Sequence, residues 1–505
     1  MICIFSFSVF LFTEDGHRFT FDEDVAEQQT IRMVTGQPTP GYIPGVSKIN
    51  FEYPLIYPDS TGPACRNAII CSVAYVGHSA TEVPFVFVNH YLHIMTNNTL
   101  VLTNDDFDDP NYVYWRNSLD PDLNFLQFFY GPMFSALSVG VFFLVSRSFD
   151  FNQKNSTILA ILFAFTTIVW AYSKTSLNVV PGTFFDLLGF LFFRRYQKLG
   201  GPNLVYSGSS FGFSFLVRPD AILFIIPLLL FLLIDLRQKT SKLKKLTSFI
   251  VPLIGFYGIY ILTNFIRDGT TLLSSFAGSE QGLGATWQHT HNTPLPIAIY
   301  GLLLSPGVGL FVFCPIMVTA FFSFFAFYKK NRKESLLFLA FVIIFLVYYG
   351  NLNAWHGLVA WGPRYLLEVI PFLLLPLGAT LEIGKKTALK IALLGLAALG
   401  FFFNFVYMIQ DAIYFVWCLP SCNHGLFSLG TVHNDLWINP AILWTFKFSP
   451  LTQAILVAFT HLQPDIFLLK LLGMKAFVAS FAVIIAPQIY LFYKIFSNRD
   501  YQVIA

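Results

Sequence analysis

Charged side chains are scarce in this sequence. Asp, Glu, Lys and Arg make up 12% of its 505 residues, whereas hydrophobic residues make up 55%. An average soluble domain carries about 25% charged residues. The scarcity excludes an ordinary soluble protein, and a net charge of only +3 gives no reason to expect a nucleic-acid partner.

Basic residues are missing before the first apolar run, Ile2 to Phe12. A secretory signal peptide begins with a basic region, so we expect no cleaved signal peptide. The run is also shorter than the roughly 20 residues that cross a bilayer. We therefore expect either a natural start upstream of Met1 or a first helix that begins at the membrane edge.

Cysteines are also few, six in all. Four of them form two close pairs, Cys65 with Cys71 and Cys418 with Cys422. No CxxC or HxxxH motif stands near either pair. The spacing therefore favours small structural disulfide loops in an oxidising compartment over a metal centre.

Apolar runs, by contrast, recur along the whole chain. Together they predict an all-α polytopic membrane protein with about twelve transmembrane helices in a single domain, 1–505. After the first run, the candidate spans are 126–146, 156–173, 178–193, 203–217, 220–235, 247–265, 306–327, 336–350, 364–382, 391–409 and 473–493.

Positive charge is concentrated in alternate loops between these runs. With the N-terminus in the cytoplasm, the short inner segments hold 19 of the 31 Lys and Arg. The first outer segment, 14–125, holds 15 of the 28 Asp and Glu. The positive-inside rule thus predicts a multi-pass cell-membrane protein with both termini cytoplasmic, a large first extracytoplasmic loop at 14–125 and an outer interfacial segment at 410–472.

The most informative stretch is the acidic motif Asp22-Glu23-Asp24 within the first outer loop, where we predict a helix over 22–34. A carboxylate just outside a bilayer can take a proton from a hydroxyl nucleophile, which makes Asp22, and after it Glu23, a candidate general base. The alternative is structural: Thr20 caps the helix, and Glu23 completes a capping box.

A second acidic cluster includes Asp105 and Asp106. Its oxygen ligands suit a divalent cation, and the alternative is a solvated turn that ends at Pro110. Asp186 lies inside a predicted span, where a buried carboxylate either pairs with another helix or lines a cavity.

Three cationic or titratable residues are candidates for binding a phosphate group. Arg364 begins a helix after Trp361-Gly362-Pro363, and α-helical spacing would place Glu368 on the same face to orient it. His356 either contacts the same ligand or caps its loop. Arg218, at the tip of a tight hairpin, either snorkels to the interface or holds an anionic headgroup.

Several of these elements resemble the GT-C glycosyltransferases, polytopic enzymes that use lipid-phosphate sugars. The resemblance lies in Asp22-Glu23 after the first span, Arg218-Pro219, Leu304 to Leu310, and Trp361 to Leu367 followed by Pro371-Phe372. It points to a prokaryotic branch related to protein mannosyltransferases and aminoarabinose transferases. The loop 174–177 lacks the second acidic motif of metal-dependent relatives, so a divalent cation is a possible but not a required cofactor.

The resemblance implies a reaction. A sugar on a polyprenyl or dolichyl phosphate passes to a hydroxyl of a glycan, lipid or protein acceptor at the outer face of the membrane. Asp22 would be the base, and the anomeric carbon would be inverted through an oxocarbenium-like state. Arg364, Arg218 and His356 would stabilise the leaving phosphate.

A transporter or lipid flippase is the alternative function, since twelve spans and a membrane-buried Asp186 suit one. Such proteins are often built from inverted repeats. No clear internal repeat is visible in the sequence, and the long acidic outer loop favours the enzyme.

The predicted topology can be tested by cysteine labelling. In a background without the six native cysteines, Ser60→Cys should react with an impermeant reagent in intact cells, and Thr240→Cys should react only after permeabilisation. Equal protection of the two positions would contradict the topology.

Overall fold

The computed structural model describes residues 1–16, 21–35, 74–95, 125–235, 242–268, 293–352, 354–357, 360–383, 387–410, 440–460, 462 and 464–497. The described residues are mostly helical and contain no strand, which confirms the all-α prediction. Six of their helices are long and apolar enough to cross a membrane. The count of twelve spans, the loop boundaries and the position of the termini stay predictions.

We number the helices in chain order. They are α1 (Ile2–Phe12), α2 (Phe21–Thr35), α3 (Val76–Met95), α4 (Phe125–Ser148), α5 (Gln153–Phe165), α6 (Val169–Tyr172), α7 (Val179–Leu199), α8 (Asn203–Val217), α9 (Ile222–Asp235), α10 (Lys242–Asp268), α11 (Leu295–Leu304), α12 (Leu310–Phe313), α13 (Ile316–Lys330), α14 (Arg332–Gly350), α15 (Ile370–Leu374), α16 (Leu377–Ile383), α17 (Thr387–Met408), α18 (Pro440–Trp444), α19 (Pro450–Thr460) and α20 (Phe467–Ser497). Short 3-10 helices cover Pro219–Ala221, Arg364–Val369 and Phe446–Phe448.

Two parts of the fold differ from the sequence prediction. The sequence analysis predicts one helix in the first outer loop, over 22–34, but α3 is a second, 20-residue helix that packs on α2, α4 and α8. Pro84 and scattered polar residues interrupt the hydrophobic pattern by which a helix is recognised in the sequence. The predicted span 306–327 is interrupted, because α12 and α13 are separated at Cys314 and Pro315.

Small residues let α8 and α10 approach closely. A Cβ atom at Gly208 would lie 2.3 Å from the carbonyl oxygen of Phe249. At Gly212 it would lie 2.5 Å from the ring of Phe256. Membrane helices associate through such close backbone contact, because lipid provides no hydrophobic driving force between them.

Ion pairs join the loops at one end of the bundle. Arg194 lies 2.6 Å from Glu334, Lys198 lies 2.6 Å from Asp150, and Lys330 lies 3.3 Å from Glu382. These residues belong to segments that the charge pattern predicts to share the inner side. The structure brings these residues together in ion pairs.

The contact between α8 and α10 predicts the effect of two matched substitutions. Gly208→Ala should lower the free energy of unfolding by about 1–3 kcal/mol, because the methyl group overlaps a backbone carbonyl. Gly255→Ala, on α10, meets no atom within 4 Å and should be neutral or slightly stabilising. Thermal unfolding in detergent measures both, and equal effects would contradict the close contact.

Candidate functional site

The acidic motif lies in the first turn of α2, as predicted for 22–34. The side chains of Asp22 and Asp24 are outside the described residues. Glu23 is fully buried, and its Oε1 accepts a hydrogen bond of 2.8 Å from the backbone N–H of Ser176. The start of α2 is therefore tied to the loop between α6 and α7, 173–178.

The same loop is held from the other side by α3. Nε2 of His78 lies 2.7 Å from the carbonyl oxygen of Ser176, so this nitrogen carries the proton. Glu82, 3.5 Å from His78, accepts a 2.7 Å hydrogen bond from Thr30 of α2. Ser176 thus connects α2 and α3 through both of its backbone polar groups.

A buried lysine occupies the centre of this end of the bundle. Lys174 is 1% exposed, and its Nζ lies 3.1 Å from Oδ2 of Asp15, 3.3 Å from the carbonyl of Asp465 and 3.5 Å from that of Gln410. Burial would lower the pKa of Lys174, but the charges of Asp15 and Asp465 outweigh burial and raise it. Lys174 therefore stays charged and joins loop 173–178 to the ends of α1 and α17 and to the residues before α20.

Glu14 lies beside this ion pair and is fully buried. Neither of its carboxyl oxygens has a hydrogen-bond partner among the described residues. Burial, and then the charge of Asp15, raises the pKa of Glu14 well above its usual range, while Lys174 opposes the shift. The carboxyl group of Glu14 is therefore harder to ionise than an exposed one.

Arg218 forms a second buried cluster. Its Nε lies 2.7 Å from Asp220, its Nη2 donates a 2.6 Å hydrogen bond to the Tyr349 hydroxyl, and its Nη1 lies 3.8 Å from Glu368. Tyr349 in turn donates to Asp220. Every arm of the guanidinium is thus engaged by a protein group.

Glu368 differs from its predicted position. Arg364 begins a 3-10 helix, in which a residue four positions on is rotated by about 120° rather than aligned as in an α-helix. Glu368 accordingly contacts Arg218. A Cβ at Gly182 would lie 2.6 Å from Glu368, so this glycine makes room for the carboxylate. Asp186 lies buried in the same cluster, near Arg218 and Asp220.

Arg364 lies at the edge of this cluster and is half-buried. Its Nη2 donates a 3.4 Å hydrogen bond to the Tyr365 hydroxyl. His356 is buried nearby, and burial, with a smaller effect of Arg364, lowers its pKa to about 3. His356 is therefore neutral and can offer a ligand a hydrogen bond but no positive charge.

Two tyrosines connect the acidic residues to the arginines. Tyr407 is acted on electrostatically by Tyr172, Asp15 and Glu23. Tyr172 is in turn acted on by Arg364. The ring of Tyr407 also lies 4.6 Å from that of Trp361, three residues before Arg364, and the carbonyl of Gln410, three residues after Tyr407, lies 3.5 Å from Lys174 of loop 173–178. The candidate base region and the candidate phosphate-binding region therefore lie at the same end of the bundle.

Other predicted site residues lie outside the described residues: Asp105, Asp106, Cys65, Cys71, Cys418 and Cys422. Within the described ranges, no group of three or more His, Cys, Asp or Glu is arranged to hold a metal ion. The predictions for these residues stay untested.

Residues 131–261 match the family model of dolichyl-phosphate-mannose-protein mannosyltransferases. The match covers 131 residues, from α4 to α10, and includes Lys174, Asp186 and Arg218. It confirms the resemblance to the GT-C superfamily and supports a membrane glycosyltransferase of that type. Comparison with curated proteins gives no match.

Sequence reasoning missed Asp15, His78 and Tyr172. Lys174 carried a signal, since it is the lone cation of a predicted four-residue loop between two spans. Its partner could not be inferred, because Asp15 is about 160 residues away in the chain.

The buried ion pair predicts a large loss of stability on substitution. Lys174→Met leaves Asp15 buried without its cation and should lower the free energy of unfolding by about 3–5 kcal/mol. Lys198→Met is the control, because its pair with Asp150 is largely exposed and should contribute at most about 1 kcal/mol. Thermal unfolding of both variants, of Asp15→Asn and of the double variant Asp15→Asn with Lys174→Met measures these losses of stability. If the double variant loses as much stability as Asp15→Asn and Lys174→Met lose together, the two residues do not form a direct pair.

Proposed function

We propose that this protein transfers a sugar from a polyprenyl or dolichyl phosphate to a hydroxyl of a glycan, lipid or protein acceptor, with inversion at the anomeric carbon. The observation that carries the proposal is that Glu23 of the acidic motif is bonded to loop 173–178, whose Lys174 contacts the end of α17, where Tyr407 packs on Trp361 just before Arg364. A glycosyl transfer needs one group that takes the proton of the acceptor and a separate cation that binds the leaving phosphate.

The two acids of the motif then have different tasks. Glu23 is buried and accepts the Ser176 amide, so it anchors the start of α2. Asp22, its neighbour in the same helical turn, is the general base. Its carboxylate takes the proton of the acceptor hydroxyl as that oxygen attacks the anomeric carbon. The bond from the anomeric carbon to the phosphate oxygen breaks, and the lipid phosphate leaves with the electron pair.

Arg364 is the cation that meets the leaving phosphate. It is half-buried rather than enclosed, and a guanidinium can bind two phosphoryl oxygens at once. Neutral His356 would add a hydrogen bond. Arg218, engaged by Asp220, Tyr349 and Glu368, would contribute its charge at longer range.

The reaction would take place at the outer face of the cell membrane, among membrane lipids that carry the donor. The segments that meet at the site lie directly after α1, α6, α8, α14 and α17 and directly before α20. The charge pattern of the sequence predicts the same side for all of them. The alternative of a transporter or flippase is less favoured, because the family match is to a transferase.

Asp22→Asn tests the base. The amide keeps the size of the side chain and removes its basicity, so turnover should fall by about 10²–10⁴-fold. Donor binding and thermal stability should remain near those of the wild type. The measurement is sugar release from a labelled lipid-phosphate donor, with melting temperature recorded on the same preparation.

Glu23→Gln is the matched control, because glutamine retains an oxygen that can accept the Ser176 amide. It should keep most of the turnover if Glu23 is an anchor. The reverse pattern, an active Asp22→Asn and an inactive Glu23→Gln, would move the base to Glu23. Full turnover in both variants would rule out Asp22 and Glu23 as the base.

A further inference from the structure

Tyr172, the last residue of α6, has an unusual buried hydroxyl. The residue is 4% exposed, yet its Oη has no hydrogen-bond partner among the residues that the structure describes. A buried hydroxyl without a partner has given up its hydrogen bonds to water and gained none in exchange. Such a group calls for a specific explanation, and a role in binding a ligand is one.

Two other buried tyrosines of the described residues have hydrogen-bond partners. The hydroxyl of Tyr130 lies 2.6 Å from that of Thr81, and the hydroxyl of Tyr349 receives a 2.6 Å hydrogen bond from Arg218. The lack of a partner at Tyr172 is therefore not a general feature of tyrosines in this helical core.

The position of α6 places Tyr172 beside Arg364. Ile168, directly before α6, lies against the turn into Arg364: a Cβ at Gly362 would be 3.1 Å from its side chain. The Tyr172 amide bonds to the carbonyl of Ile168, so the two ends of α6 are held rigidly to each other. The groups that act electrostatically on Tyr172 are, in decreasing order, Arg364, Tyr365 and Arg218.

The backbone around Tyr172 is fixed as well. Trp170 donates a 3.1 Å hydrogen bond to Thr13 at the end of α1. A Cβ at Gly131 of α4 would lie 2.2 Å from the carbonyl of Ser173, so α4 presses directly on the next residue. The hydroxyl therefore has little freedom to turn toward a new protein partner.

We infer that the Tyr172 hydroxyl donates a hydrogen bond to the phosphate of the lipid donor, next to Arg364. The inference rests on the proposed function and adds a binding residue to it. A phosphate offers only acceptor oxygens, which suit a hydroxyl that has a proton to give and lies among cationic neighbours. Tyr172 is thus a ligand-binding residue whose hydroxyl contributes nothing to the fold of the empty protein.

The test is Tyr172→Phe, with purified protein in detergent titrated with a short-chain polyprenyl monophosphate that carries no sugar. Loss of a hydrogen bond to a charged group should weaken binding about 10- to 100-fold. Binding of a prenyl alcohol of the same chain length should not change, because it has no phosphate. The melting temperature of the ligand-free variant should equal or exceed that of the wild type.

Tyr130→Phe is the control, because it removes a hydroxyl that has a partner. It should lower the melting temperature and leave binding of the prenyl phosphate unchanged. A structural role for Tyr172 predicts that Tyr172→Phe behaves in the same way, and that result would overturn the inference.

Two further outcomes separate the inference from the proposed function. If the wild type and Tyr172→Phe bind prenyl phosphate equally but the variant binds a sugar-carrying donor more weakly, the hydroxyl contacts the sugar and the phosphate assignment is wrong. If Arg364→Ala loses binding of prenyl phosphate while Tyr172→Phe does not, the proposed lipid-phosphate donor is supported, but the inference about Tyr172 is wrong. A wild type that binds no prenyl phosphate overturns the proposed function and the inference with it.

Discussion

The candidate site depends on a lysine ammonium that is almost completely removed from water. Isolating such a charge costs several kcal/mol, and the cost is offset only when an opposite charge and further acceptors surround it. Asp15 supplies the charge, and the carbonyls of Asp465 and Gln410 supply the acceptors. These partners come from three distant parts of the chain, so pairing Lys174 also fixes where α1, α17 and α20 meet. Loop 173–178 is then rigid enough for Ser176 to hold Glu23.

Arg218 shows the same constraint in a second place. Its guanidinium is buried among Asp220, Tyr349 and Glu368, and each of its arms has a protein partner. A cation enclosed in this way orders the helix ends around it, and its role in binding a phosphate stays a prediction. Arg364, at the rim of the same cluster, is half-buried. The two arginines, which look alike in the sequence, therefore differ in what they are available to do.

The sequence was sufficient for the helical membrane class, the short helix that carries Asp22 and Glu23, and the break at Arg218 between α8 and α9. These depend on local pattern: apolar runs, a helix start after a loop, and an Arg-Pro turn. The pairing of Glu368 with Arg218 could not be predicted, because it depends on a 3-10 helix where α-helical spacing was assumed. The partnership of Lys174 with Asp15 has no local signal at all. The helix α3 was missed because Pro84 and its mixed polarity resemble a loop, and only packing against α2, α4 and α8 explains it.

The burial of the aromatic residues at the site affects how many charged groups are needed to stabilise the leaving phosphate. Tyr172, Trp361 and Tyr407 are all buried, and the rings of Trp361 and Tyr407 lie 4.6 Å apart. Where water is excluded, an electrostatic interaction is several times stronger than at an exposed surface. In the proposed reaction a single guanidinium and a hydroxyl would then stabilise the leaving phosphate without the second acidic motif that metal-dependent relatives carry at the loop 174–177. The same exclusion of water protects an oxocarbenium-like sugar from hydrolysis before the acceptor hydroxyl reaches it. The buried aromatic residues that pack where α6 meets α17 would thus serve the transfer that we propose by excluding water.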